Sequence, residues 1–138
     1  MSATGIQVGV DIVSVEDVSR SLERFGERYV ERVFTKQEAE YCQAAVGRSA
    51  AERFAVRFAA KEATLKALQP DTPSADWRSI EVLRCGSGRC EVVLHDAVAA
   101  LAARQGIRTL ALSMTHHADC AAAIVVAQVV TPETDHGG

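Results

Sequence analysis

The sequence predicts an α+β fold: one domain of 138 residues in which a mainly antiparallel sheet packs against a long buried helix. Three observations predict it. The last four strand-like segments come as two hairpins rather than as strands alternating with helices, so their pairing is antiparallel. A segment over 49–68 is apolar nearly all round, the mark of a helix buried on several sides. The length suffices for one ordinary core and not for two.

The elements follow in order. "IQVGVDIVSV", residues 6–15, clusters Val and Ile as a strand does, yet carries Asp11, a carboxylate that a buried strand seldom holds alone. "VEDVSRSLERFGERYVERVF" sets Val18, Leu22, Phe25, Tyr29 and Val33 at helical steps, with a break expected at Gly26. "TKQEAEYC" opens with Thr35 and places Glu38 three residues later, a capping box for a short helix over about 36–44. The long helix, about 49–68, stops before Pro70 in a loop, "QPDTPSADW", where Trp77 is expected to anchor the chain to the core. "RSIEVLRC" and "RCEVVLH" read as strands joined across "GSG". "DAVAALAARQG" reads as a helix capped by Asp96 and stopped by Gly106. "IRTLALSMTH" and "CAAAIVVAQVV" are the final strands, linked by "HHAD", and residues 131–138 read as a frayed tail.

Composition narrows the function classes. Nearly half the residues are apolar and a quarter charged, an ordinary globular balance. A net charge of −3 gives no global attraction to nucleic acid or to an anionic membrane, so an acidic partner needs a local basic cluster. The apolar runs are too short to span a bilayer and no signal-peptide pattern opens the chain, so a cytoplasmic protein is expected. The cysteines at 42, 85, 90 and 120 lack CxxC spacing, which predicts four free thiols, two or three of them buried.

Within "RFAAKEATLKAL", residues 57–68, Glu62 and Lys66 stand one helical turn apart. On a solvated face such a pair is an ordinary ion pair worth a few tenths of a kcal/mol. Here the flanking residues are apolar, and a carboxylate beside an apolar stripe is costly unless a cation compensates. Asp11 is the second isolated carboxylate. Two carboxylates converging on one point suit a hard divalent cation such as Mg²⁺, which takes few protein oxygens and prefers phosphate for the rest. A lysine one turn away suits a phosphate oxygen.

Taken together, "GVDIVSVEDV", "RFAAKEATLKAL" and "LSMTHHADCAAAIVV" resemble the motifs of the small holo-acyl-carrier-protein synthases, the single-domain 4′-phosphopantetheinyl transferases. The intervening "GSGRCEVVLHDAVAALAARQG" resembles the family's strand and helix, so the likeness covers nearly the whole chain in order. It implies transfer of phosphopantetheine from coenzyme A to a serine of an apo acyl carrier protein, with release of adenosine 3′,5′-bisphosphate. It implies that Asp11 and Glu62 hold Mg²⁺, and that Lys66 and His116 act at the catalytic centre. Arg57, Lys66 and His116 would bind coenzyme A. The family forms trimers whose active sites lie between subunits, so a homotrimer is implied, with the last motif acting on a neighbour's Asp11 and Glu62.

The likeness has departures. Ser14 and Asp17 stand where the family has a glutamate and a basic residue, which alters charge in the carrier-binding helix. Arg20, Arg24 and Arg28 are the candidates for docking an acidic carrier, unless they form a salt-paired solvated face. Leu65 stands where a serine is common, and Cys90 follows Gly88 and Arg89 where a proline is common. His116, His117 and Cys120 crowd together, but a zinc site needs a fourth ligand at a defined spacing, which the other cysteines do not supply. A second class of function is a weakened module that binds coenzyme A or a carrier without transferring. Joint presence of Asp11, Glu62, Lys66 and His116 argues for the enzyme.

Overall fold

The computed structural model describes residues 3–68 and 76–131. Most of the expected loop before Trp77 and nearly all of the expected tail lie outside the described residues. The chain runs β1 (Ala3–Ser14), α1 (Val15–Phe25), α2 (Glu27–Val33), α3 (Lys36–Gln43) and α4 (Arg48–Leu68). A 3-10 turn (Trp77–Ser79) then leads into β2 (Ile80–Arg84), β3 (Cys90–Leu94), α5 (Asp96–Arg104), β4 (Ile107–His117) and β5 (Cys120–Thr131).

The predicted α+β class holds, and every strand pairing is antiparallel. The strands divide between two sheets: β1-β5-β4, and a separate β2-β3 hairpin. In the larger sheet Asp11 stands opposite Ala123, and Ala123 opposite Met114. Alternation then fixes the faces. Gly9 and Asp11 are buried on the side of β1 that meets α4, as are Ala121, Ala123, Val125 and Ala127 of β5. These residues are small because α4 lies close. A Cβ built on Gly9 would fall 1.8 Å from the carbonyl oxygen of Ala63 and 2.7 Å from the amide nitrogen of Ala67. The alanines of α4 complete the fit, with Ala59, Ala60, Ala63 and Ala67 wholly buried.

The other face of the sheet is uncovered. Ile6, Val8, Val10 and Ile12 of β1 are exposed, Ile6 by 71% and Ile12 by 69%, and Ile124 of β5 joins them. Large apolar residues seldom stand together on a monomer's surface in this way.

Local chemistry explains the helix ends. Ser14 caps α1 by accepting from the amide of Asp17, and its hydroxyl donates to Asp119 at 2.8 Å. Asp119 also accepts from the amide of Glu16, so the β4–β5 turn supplies a carboxylate to the α1 N-terminus. The capping box of Thr35 and Glu38 is present. Gly26, at φ 55, breaks the helix as expected. That break turns Phe25 out of the predicted buried stripe: its ring is 49% exposed and the Arg24 guanidinium lies 5.2 Å from its centroid. Asp96 does not cap α5. His95 is the N-cap residue and Asp96 is the first helical residue at φ 50. Gly106 ends that region as predicted, at φ 77, with no room for a Cβ against Val130. The four cysteines are free, but Cys42 alone is fully buried, fewer than expected. Trp77 does anchor its segment, with its ring 5.3 Å from Phe58. No helix among the described residues is long and apolar enough to cross a membrane.

Candidate active site

The central feature is a pair of carboxylates. Asp11 comes from β1, held by the Gly9 approach against α4; Glu62 comes from α4 and is half-buried. Asp11 Oδ1 accepts from Lys66 Nζ at 2.7 Å, and Lys66 also donates to the Val10 carbonyl at 3.1 Å. The predicted one-turn pair is thus rearranged: Lys66 reaches across to the strand and bonds Asp11. Asp11 Oδ2 is buried with no hydrogen-bond partner. Glu62 is pushed up to about 7, first by burial and then by the neighbouring Asp11 carboxylate, while Lys66 opposes the rise. Lys66 is raised above its ordinary value by the Asp11 bond.

A spare buried carboxylate oxygen beside a glutamate that resists ionising marks a place short of positive charge. The donor set fits a hard divalent cation of the Mg²⁺ kind, which keeps most of its shell for water and phosphate. Asp11 and Glu62 are the residues that would hold it. Among the described residues there is no group of three or more His, Cys, Asp or Glu at metal-binding distance, so the His116, His117 and Cys120 cluster does not assemble one. His116 and His117 are strand neighbours and point to opposite faces.

Arg57 and His116 lie elsewhere. They share a cavity of about 400 Å³ on the other flank of α4 with Tyr41, Arg53 and Arg84. At 3.6 residues per turn, Arg57 and Glu62 are about 140° apart around α4. Asp11 and His116 sit on the two outer strands, with β5 between them. Within one chain the predicted site is therefore two half-sites separated by α4.

The second half-site is strongly cationic. The guanidinium carbons of Arg53 and Arg57 each lie 4.3 Å from the centroid of the Tyr41 ring, and that of Arg84 lies 5.5 Å away. Arg53 donates to the Tyr41 carbonyl at 2.7 Å and Arg84 to its hydroxyl at 2.8 Å. Arg57 is only 4% exposed and its Nε has no hydrogen-bond partner. Cys90, opposite Arg84 in the hairpin, lines the same cavity. A cleft of about 850 Å³ opens beside α2 and α3 and contains none of these residues. Its charged lining is mostly acidic, Glu27, Glu31, Glu40, Asp76 and Asp96 against Lys36 and Arg78, which suits a polyanion poorly.

Sequence reading missed the support beneath Glu62. Lys61, the preceding residue, is wholly buried and donates to Glu38 Oε1 at 2.7 Å, to the Trp77 carbonyl at 3.0 Å and to the Ile80 carbonyl. Glu38 Oε2 accepts from the Val82 amide at 2.8 Å. Burial, opposed by Glu38, lowers the Lys61 pKa. The available signal was the lysine's own place within an alanine-rich buried helix. Arg53, one turn before Arg57, and Arg84 were also missed. Leu65, where the family commonly has a serine, packs against the cluster of Leu68, Ile80, Val98 and Ala102. Of the docking arginines, Arg20 is engaged by Glu16 at 3.5 Å and Asp17 at 3.9 Å, so the salt-paired reading holds there. Neither Arg24 nor Arg28 forms an ion pair among the described residues.

Residues 7–125 match the 4′-phosphopantetheinyl transferase superfamily. The chain belongs to that superfamily. It is a transferase of the holo-acyl-carrier-protein synthase type, and curated synthases match along most of its length. The holo-[acyl-carrier-protein] synthase of Koribacter versatilis is 40% identical over 119 residues, which cover 86% of this chain and 94% of that relative. The apo structure of the Chronobacterium ammoniagenes synthase superposes with a TM-score of 0.82 at 33% identity, covering 92% of this chain and 99% of that one. Its coenzyme A complex gives 0.78 at 34% identity, covering 91% and 98%.

Proposed function

We propose that this transferase moves 4′-phosphopantetheine from coenzyme A to a serine hydroxyl of an apo acyl carrier protein, with Mg²⁺, releasing adenosine 3′,5′-bisphosphate. The observation that carries the reading is the Asp11–Glu62 pair, with its unpartnered buried oxygen, its elevated glutamate and Lys66 alongside. Named relatives that are synthases and a relative solved with coenzyme A support it.

The reaction joins the serine oxygen to the phosphorus that bears pantetheine and breaks the bond from that phosphorus to the bridging oxygen of the pyrophosphate. Asp11 and Glu62 would hold Mg²⁺, which would supply charge neutralisation for the pyrophosphate. Glu62, directly or through a water it holds, accepts the serine proton. Lys66 exchanges its Asp11 bond for a phosphate oxygen and balances the charge that grows on the leaving bisphosphate. Arg53, Arg57, Arg84 and His116 bind the phosphate and nucleotide part of coenzyme A.

Because the half-sites lie on opposite flanks of α4, a complete site requires two chains. The uncovered apolar face of β1 and β5 offers the surface for a homotrimer, with each site formed between neighbours. Arg24 and Arg28, beside exposed Phe25, offer a cationic and apolar docking face for an acidic carrier, whereas Arg20 is already engaged by its own helix.

The test is incubation with coenzyme A, Mg²⁺ and several apo carriers, followed by mass spectrometry of the carrier. A phosphopantetheine mass gain is expected, and Glu62→Gln reduces its rate by about 10²–10⁴-fold while leaving the fold intact. Coenzyme A binding without a mass gain on any carrier would instead mean a binding module.

A further inference from the structure

Among the described residues, the arginine-lined cavity has a single carboxylate in its wall, Glu52. The reaction proposed above does not use it. A pocket that receives an anion gains nothing from a bare negative charge a few ångströms away. Glu52 must therefore be turned to another task, and its partners show which. Its Oε2 lies 2.6 Å from Nδ1 of His116, and its Oε1 lies 3.9 Å from Nε of Arg48. Arg48 in turn donates to the carbonyl of Ala118 at 2.6 Å, in the turn just beyond His116. One turn of α4 is thus fastened to the end of β4 by a carboxylate that points at the imidazole.

A neutral imidazole carries its proton on one nitrogen, and the bond made by one nitrogen decides the state of the other. An ionised carboxylate only accepts hydrogen bonds, so an Oε2 held 2.6 Å from Nδ1 favours the proton on that nitrogen. Nε2 is the nitrogen left for a ligand, on a side chain that is half exposed where it lines the cavity. A proton taken up at Nε2 makes that nitrogen a donor to a phosphate oxygen.

We infer that Glu52 is a positioning residue, which holds His116 in its Nδ1–H form and presents Nε2 to the phosphate of incoming coenzyme A. The inference rests on the reading that this cavity takes coenzyme A. It also accounts for an acidic residue among arginines: the Glu52 charge is directed at His116 and Arg48 rather than at the ligand.

The test pairs ring spectroscopy with binding. Nitrogen-15 signals of the His116 ring, assigned by their loss in His116→Asn, report which nitrogen is protonated. In the wild type the proton sits on Nδ1. In Glu52→Gln, whose amide can donate or accept and so no longer dictates the tautomer, the signals move toward the Nε2–H form. The KM for coenzyme A rises about tenfold while kcat at saturation stays within about twofold, the low end of what removing an orienting partner from a ligating histidine costs. Glu52→Asp restores both readouts in part. A wild-type ring protonated on Nε2, an unchanged coenzyme A affinity in Glu52→Gln, or weakened binding with unchanged ring signals would each overturn the inference. If the wild type binds no coenzyme A, the functional reading fails instead, while the ring signals still judge the role of Glu52.

Discussion

Burial and the Asp11 carboxylate hold Glu62 near 7, against an ordinary value of 4.5, and this has a consequence for stability. The folded chain binds the Glu62 proton more tightly than the unfolded chain does. Its contribution is therefore fully present below pH 4.5 and is lost as pH rises through about 7. In chelator, the melting temperature of the wild type relative to Glu62→Gln should fall across that window, and added Mg²⁺ should recover it at higher pH in the wild type alone. A difference between the two proteins that is flat with pH would mean that Glu62 is not elevated. The difference is the quantity to follow, because Glu81 and Asp119 titrate with lowered pKa values and impose the opposite slope on both proteins. Lys61 poses a different residue-scale question. Replacing it with Met leaves Glu38 charged in the interior, which should cost about 3–5 kcal/mol. Urea denaturation at one fixed protein concentration measures this, and adding Glu38→Gln should return part of the loss.

At the scale of elements, the contact of β1 with α4 sets the site. Gly9 lets the strand lie against the helix backbone, and Asp11, two residues on, then reaches Lys66 from the same face. Gly9→Ala drives a methyl group into the Ala63 carbonyl, which neither element can yield without moving. We expect a loss of about 3 kcal/mol or more. Transfer activity should fall further than the loss of folded protein explains, because β1 carries Asp11 away with it. Thermal melts and activity per folded molecule separate the two effects; full activity in a folded Gly9→Ala protein would remove the argument. The sequence made most elements legible, since periodicity and capping depend on near neighbours: the Thr35–Glu38 box, the Gly26 break and both hairpins are present. It misled at Phe25 and Asp96, where a positive-φ backbone redirected the local pattern.

For the whole molecule, the decisive fact is that α4 separates the carboxylates from the arginines. In the proposed trimer each site takes Asp11 and Glu62 from one chain and His116 and Arg57 from the next. Chains carrying Glu62→Gln and chains carrying His116→Ala should each be nearly inactive. Co-expressed in equal amounts, they should regain about a quarter of wild-type activity, since one neighbouring pair in four then supplies two intact halves. No recovery in verified mixed trimers would mean that each site is built within one chain. The apolar face of Ile6, Val8, Val10 and Ile12 is the surface that such an assembly would cover.

The sequence by itself determined the α+β class, the elements and the isolated carboxylates Asp11 and Glu62, with Lys66 one turn beyond. These follow from periodicity and from the cost of an isolated charge, both readable along the chain. The tertiary structure decided the rest. It paired Lys66 with Asp11 across 55 positions instead of with Glu62 one turn away, and buried Lys61 against Glu38. It gathered Arg53, Arg57 and Arg84 around Tyr41, set Glu52 against His116, and put the two half-sites on opposite flanks of one helix. The reason is that such contacts depend on how closely β1 and β5 approach α4, a distance set by Gly9 and the facing alanines together and by no single stretch of sequence.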